Sequence, residues 1–186
     1  MIFSQFKAMR IAELLQEQWG DRRIPGLLDV MATAKPDTVL EIGSYIGVST
    51  ELFLLHCRAV TAVDPWDSSG EGGPEQYREF MIRCRAYPHL EVCKGLSLNV
   101  MGVLNSRGSR YDLVYIDGDH SYDVVMADIN DAAQLSKGWI GGHDYQCPGT
   151  PDVERAVHHF WNPSDVLTYS DGSWLARKEN MRGPTK

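Results

Sequence analysis

Cysteine is scarce in this chain: there are four in 186 residues, Cys57, Cys84, Cys93 and Cys147, and none forms a Cys-x-x-Cys pair. A domain of this length buries roughly 70% of its unfolded surface and needs no covalent staples. The thiols are therefore expected to be reduced and to behave as small apolar residues, which fits a cytoplasmic setting. Long apolar runs are missing too. No stretch approaches the ~18 residues of a membrane span, and the first residues, Met1 to Lys7, lack the basic, apolar and small-residue order of an export signal. Basic residues are outnumbered, 18 Lys and Arg against 25 Asp and Glu, for a net charge of −7 with His neutral. That balance argues against a nucleic-acid partner and leaves room for a small cationic ligand or a divalent ion. Repeats and low-complexity segments are absent. Hydrophobic residues at 43% and charged residues at 23% are ordinary globular usage, which excludes disordered and fibrous chains.

What is present is an alternation. Short apolar runs at 38–42, 59–63, 90–93, 112–116 and 138–142 read as strands, and the stretches between them, 43–57, 75–86, 98–104 and 121–135, read as helices. The spacing of Phe6, Met9, Ile11, Leu14 and Leu15 predicts a helix over 6–19 that Gly20 stops. A second helix follows over 24–34, with Pro25 near its start. Residues 67–74 read as a mobile surface loop, 151–161 as a helix, and 165–169 with 173–177 as two strands about an Asp-Gly turn. This order predicts an α/β fold: a doubly wound, mostly parallel, seven-stranded Rossmann-like sheet with an antiparallel C-terminal hairpin. A single domain over 1–186 is expected, with N-terminal helices over 1–35, a core over 36–179 and a tail over 180–186 that frays. Ligands in such sheets bind beyond the C-terminal strand ends, where the strand order switches.

The first strand ends in Glu41-Ile-Gly43-Ser-Tyr45-Ile-Gly47-Val-Ser49, a glycine turn running straight into a helix. Glycine allows close approach of a ligand to the backbone, and the helix start offers free N–H donors. Tyr45 stands where a dinucleotide fingerprint has its second glycine, which disfavours a pyrophosphate. Glu41 would repel a phosphate but accept hydrogen bonds from a cationic or hydroxylated ligand. Asp64 ends the second strand, about 20 residues after the turn, where an acid suits a pair of ribose hydroxyls. Trp66 either covers an adenine ring or packs in the core, and the loop Lys94-Gly95-Leu96-Ser97 is placed to touch a base edge. The fourth and fifth strands deliver Asp117-Gly-Asp119-His120 and His143-Asp144. Asp117, His143 and Asp144 would converge as an O, N, O set on a divalent cation; carboxylates favour Mg²⁺ or Mn²⁺, and one imidazole leans toward Mn²⁺, Fe²⁺ or Zn²⁺. The plainer alternative has Asp119 and His120 capping the next helix and His143 making a loop hydrogen bond. Trp66, Tyr122, Tyr145 and Trp174 either wall an acceptor pocket or pack.

Taken together, the runs 39–49, 60–64 and 111–122 resemble those of the class I S-adenosylmethionine-dependent methyltransferases. The Ile116-Asp-Gly-Asp-His-Ser-Tyr122 run with the later Gly142-His-Asp-Tyr145 is most similar to the branch of sugar and small-molecule O-methyltransferases related to the catechol type. The resemblance implies S-adenosylmethionine as cofactor. It places Glu41, Gly43, Ser44, Tyr45, Gly47 and Ser49 on the turn that holds its methionine part, Asp64 on the ribose, and Gly95, Leu96 and Ser97 near the adenine, with Trp66 and Asp117 beside them. It also implies a Mg²⁺ or Mn²⁺ at Asp117, His143 and Asp144, with Asp117 and His120 catalytic and His120 as base. The sequence departs from the catechol type at His143, where that pattern has a carboxylate. The expected activity is methyl transfer to a hydroxyl of a small-molecule acceptor, metal-assisted; a metal-free transferase and a non-catalytic binder of the same cofactor are the alternatives. No segment is left over for a substrate domain, so the N-terminal helices or a second subunit of a homo-oligomer would supply the lid.

Overall fold

The computed structural model describes residues 3–17, 20–67 and 73–182. Along the chain lie α1 (Phe3–Leu14), α2 (Gly20–Ala34), β1 (Thr38–Ile42), α3 (Val48–His56), β2 (Ala59–Asp64), α4 (Pro74–Cys84) and β3 (Leu90–Lys94). They are followed by α5 (Ser97–Ser106), β4 (Tyr111–Ile116), α6 (Tyr122–Leu135), β5 (Ser136–Gly142), α7 (Pro151–Phe160), β6 (Val166–Thr168) and β7 (Trp174–Arg177). The seven strands form one sheet in the order β3-β2-β1-β4-β5-β7-β6. Strands β1 to β5 pair in parallel, whereas β7 runs antiparallel to both β5 and β6. The order reverses between β1 and β4, which places the switch point between Ile42 and Ile116.

The central strands β1, β2 and β4 are buried on both faces because helices cover both. Val39, Val60, Leu113 and Tyr115 pack with α1 to α4, around Leu27, Leu52, Phe53 and Phe80. Their neighbours Leu40, Ile42, Val63, Val114 and Ile116 turn the other way, onto Met101, Ile129, Val157 and Trp161 of the α5–α7 side. This period of two fixes the facing of every side chain along a strand. Glu41 shares the parity of Val39 and so points toward α3.

The N-terminal helices differ from expectation. α1 ends at Leu14, where Gln16 N–H turns back to the Glu13 carbonyl (2.9 Å), and Gly20 opens α2 instead of closing α1. Pro25 lies inside α2. The tail is anchored as far as Arg182, whose N–H and guanidinium donate to the carbonyls of Phe160 (2.7 Å) and Trp161 (2.9 Å). Most of the loop expected over 67–74, and the last four residues of the expected fraying tail, lie outside the described residues. Among the described residues no helix is long and apolar enough to cross a membrane.

Candidate active site

At the C-terminal rim of the sheet, four loops leave through hydrogen bonds that extend the ladder by one step. Gly95 N–H donates to Asp64 O (3.0 Å), Gly43 to Val63 O (2.9 Å), Asp117 to Ile42 O (2.7 Å) and His143 to Ile116 O (3.1 Å). The loops after β3, β1, β4 and β5 therefore share one edge. Gly43 is what lets the two middle loops touch. Its φ is +85°, and a methyl group there would stand 2.1 Å from the carbonyl oxygen of Asp117. Tyr45 and Gly47 are also left-handed, at φ +46° and +83°, so the turn needs holding.

Much of that holding comes from two acids. Asp64 accepts the backbone N–H groups of Ser44 (3.1 Å) and Tyr45 (2.9 Å) on Oδ2, and of Trp66 (2.8 Å) on Oδ1. A carboxylate has about four acceptor positions, so Asp64 keeps capacity for a further donor. Glu41 lies beneath the turn and is fully buried. It accepts the hydroxyls of Ser44 (2.8 Å), Ser49 (2.5 Å) and Thr50. Burial pushes its carboxyl up to about 7, with Asp117 adding to the rise and the three hydroxyls opposing it. Three residues considered for cofactor contact, Glu41, Ser44 and Trp66, are enclosed; Trp66, read as either an adenine cover or core, is 0% exposed between Tyr77 and Phe80 and donates to the Tyr45 carbonyl (2.7 Å). They shape the turn from behind. Gly43, Tyr45 and Ser49 stay open, as do Gly95, Leu96 and Ser97 at the neighbouring loop.

The second cluster lies at the ends of β4 and β5. Ligand atoms of Asp117, His120 and Asp144 lie within 4.8 Å of one another. His120 thus joins the expected Asp117 and Asp144, and His143 lies alongside them. His120 Nε2 is 2.9 Å from Asp144 Oδ2, while His143 Nδ1 stands 3.1 Å from the same oxygen and 4.0 Å from Asp117 Oδ1. Sequence cannot tell which of the two imidazoles turns into the rim; the side chain of His143 is 10% exposed and that of His120 is 42% exposed. The hydrogen bond to Asp144 raises the pKa of His120 above its ordinary value, although partial burial opposes it. Burial alone would raise Asp144; hydrogen bonds from His120 and His143 outweigh it and hold the carboxyl below the usual range. An O, N, O donor set at this spacing fits a hard or borderline divalent cation. Asp119 accepts the N–H of Ser121, the residue ahead of α6, at 2.7 Å.

A cavity of about 10 Å³, room for roughly one water, lies beneath this cluster, lined by Asp117, His120, His143 and Trp174 among others. Tyr145 and Trp174, candidates for an acceptor wall, are 4% and 1% exposed and belong to the core. Tyr122 is half-buried under the Arg155 guanidinium. The large cavity, about 640 Å³, lies elsewhere, between α1 and α4. Two further residues, Thr50 and Arg83, bear on the glycine turn and escape sequence reasoning. A hydroxyl pair one step into the helix after a strand-end acid is the visible signal for Thr50; Arg83 has none.

A profile of the family described as "Methyltransferase domain" matches residues 40–145, more than half of the chain and all of the rim loops described above. Solved structures are similar over nearly the whole chain. One is an O-methyltransferase from Bacillus cereus in complex with S-adenosylhomocysteine, at 17% identity and a TM-score of 0.63, covering 94% of this chain and 87% of that one. Another is the N-methyltransferase NodS from Bradyrhizobium japonicum, also with S-adenosylhomocysteine, at 17% identity, a TM-score of 0.63 and 98% and 99% coverage. A third is a TDP-rhamnose 3′-O-methyltransferase of calicheamicin biosynthesis, at 13% identity, a TM-score of 0.64 and 95% coverage of each chain. No curated protein matches the sequence.

Proposed function

The chain belongs to the class I S-adenosylmethionine-dependent methyltransferases, and on that premise we propose that it moves the methyl group to a hydroxyl of a small acceptor, with His120 as the base. One observation carries the proposal: His120 Nε2 meets Asp144 Oδ2 at 2.9 Å beside the glycine turn. An Nε2–H donating to Asp144 leaves Nδ1 as the acceptor nitrogen. A hydroxyl must lose its proton as it attacks, whereas a neutral amine attacks with its lone pair, so a poised base suits an oxygen acceptor. Two of the similar structures are of proteins named as O-methyltransferases, and the third is named as an N-methyltransferase.

In this reading the open residues of the turn, Gly43, Tyr45 and Ser49, receive the methionine part of the cofactor. Asp64 takes the ribose hydroxyls on its remaining acceptor position, and Gly95, Leu96 and Ser97 border the adenine. When bound, S-adenosylmethionine supplies a methyl carbon on a sulfonium, open to in-line displacement. The chain's share is positioning and proton transfer: His120 takes the acceptor proton at Nδ1, and Asp144 stabilises the resulting imidazolium. α2 borders the same rim, because Gly26 abuts the side chain of Asp171 in the β6–β7 turn, and we assign it the side wall of the acceptor site.

A second reading is favoured by the clustering of Asp117, His120 and Asp144 within 4.8 Å. These three would hold a divalent cation, which would supply a Lewis acid for the acceptor oxygen. His120 would then be a ligand and not a base.

Methyl transfer from labelled S-adenosylmethionine to a panel of small hydroxylated acceptors tests both readings. His120→Ala is expected to lower turnover by about 10²–10⁴, with affinity for S-adenosylhomocysteine unchanged. Asp144→Asn removes the anion that raises the His120 pKa, so the acidic limb of the pH–rate profile moves to lower pH. Activity abolished by a chelator and restored by Mg²⁺ or Mn²⁺ would replace the base reading with the metal one. Full activity in His120→Ala would end both.

A further inference from the structure

The three carbonyls at the far side of the glycine turn are each met by a side chain from the segment between β2 and β3. Trp66 Nε1 donates to Tyr45 O at 2.7 Å, Arg83 Nε to Ile46 O at 3.1 Å and Cys84 Sγ to Gly47 O at 3.6 Å. Trp66 and Cys84 are fixed by the core around them, both being fully buried. Arg83 is not. Its position is set by charge: Nη1 and Nη2 form a fork on Glu17 at 2.9 and 2.6 Å, and Nη1 also reaches Glu51 at 3.1 Å. Glu51, 2% exposed in the first turn of α3, further accepts Arg10 Nε and Nη2 of α1 at 2.9 and 2.7 Å and the Tyr87 hydroxyl at 3.0 Å. A planar guanidinium can satisfy a carboxylate fork and a carbonyl at once; an ammonium cannot hold the same geometry.

We propose that Arg83 is a positioning residue for cofactor binding: it ties the Ile46 carbonyl of the glycine turn to Glu17, in the connection after α1, so that docking of the N-terminal segment sets the affinity for the cofactor. This rests on the reading that the glycine turn receives S-adenosylmethionine. Backbone at Tyr45 and Gly47 sits in the left-handed region, and without a donor on Ile46 O the peptide between them is held on its N–H side alone, by Gly47 N–H to Ser44 O at 2.7 Å. Among the described residues, the side-chain hydrogen bonds of Glu17 go to Arg83, so its influence on the turn passes through that fork.

Calorimetry with S-adenosylhomocysteine on the full chain, together with amide hydrogen exchange, tests the proposal. Arg83→Gln is expected to weaken binding by about tenfold or more, and Arg83→Lys, which keeps the charge, to recover only part of the loss. Glu17→Gln weakens binding in the same direction, by about threefold or more, and adds nothing in the Arg83→Gln background. Exchange of the Tyr45 and Gly47 amides quickens in Arg83→Gln while the strand amides of Val63 and Val114 keep their protection, which a general loss of stability would not spare. Affinity within about twofold of wild type in Arg83→Gln, or in Glu17→Gln should the former not fold, overturns the proposal. Additive losses in the double variant overturn it too. Asp64→Ala separates the two levels: if it weakens binding and Arg83→Gln does not, only the role of Arg83 fails. If Asp64→Ala binds like wild type, the turn is not the cofactor site and both fall.

Discussion

Asp128 places a carboxyl between α6 and α5, 2% exposed, with its hydrogen bond to Ser97 as partial compensation and Oδ2 unsatisfied. Burial pushes its pKa up to about 6, helped by Asp131 and Asp119. An acid whose pKa is higher folded than unfolded holds its proton more tightly in the native state. Stability therefore falls as pH rises from about 4 through about 6, and the cost, on the order of 3 kcal/mol, is complete above that. Asp128→Asn keeps an acceptor for Ser97 and removes the ionisation. Thermal melts are expected to show its gain over wild type as largest near pH 8 and close to nothing near pH 4. A gain independent of pH would mean the carboxyl is not the source. Ser97 opens α5 at the loop assigned to the adenine, so this acid also braces part of the rim.

At this same scale, some of the site is legible in the sequence and some is not. Asp64 is readable because a strand-end acid after a glycine turn is a positional signal, and its contacts with Ser44 and Tyr45 put it there. Glu41 is visible as an acid at a strand end, but its orientation is not: strand parity sends it toward α3, where hydroxyls of the following helix close over it. His120 and His143 show the limit most clearly. Both sit at strand ends, and only the paths of two loops decide which imidazole meets the open side of Asp144. Arg83 is separated from Glu51 by 32 residues along the chain and from Glu17 by 66, and no local pattern links the three.

At the scale of elements, two glycines make opposite predictions. In Gly43→Ala the new methyl would meet the Asp117 carbonyl at 2.1 Å, on a backbone at φ +85°, so the β1 and β4 loops must separate. Denaturant unfolding should show a loss of several kcal/mol, ~3 or more. Gly102 lies inside α5 with open space for 4 Å around the position a methyl would take, and Gly102→Ala should gain about 0.5–1 kcal/mol from helix propensity alone. A tolerated Gly43→Ala would contradict the close approach on which the rim is built. The strands β1, β2 and β4 are readable because apolar runs covered on both faces are unambiguous. The start of α2 is not, because a glycine such as Gly20 usually marks a helix end, and tertiary packing of α2 against α3 and the β6–β7 turn overrides that local preference.

For the whole molecule, the strand order is what converts a string of local features into one site. The reversal between β1 and β4 opens the rim where the glycine turn, Asp117 and the His120–Asp144 pair come within reach of each other. Both helix layers serve that edge: α3 and α4 clamp the turn from one side, and on the other the loop 94–97 leads into α5 and the loop with His120 leads into α6. The net charge of −7 takes on local meaning here, since Asp64, Asp117 and Asp144 gather at one rim, with Glu41 enclosed beneath it. Such a rim favours a cationic ligand.

The most direct measurement is a calorimetric titration of S-adenosylhomocysteine into the wild-type chain and into Asp64→Ala. The account predicts one saturable site in the wild type and a loss of about tenfold or more in the variant. No binding to the wild type, or equal affinity in the two proteins, would contradict it.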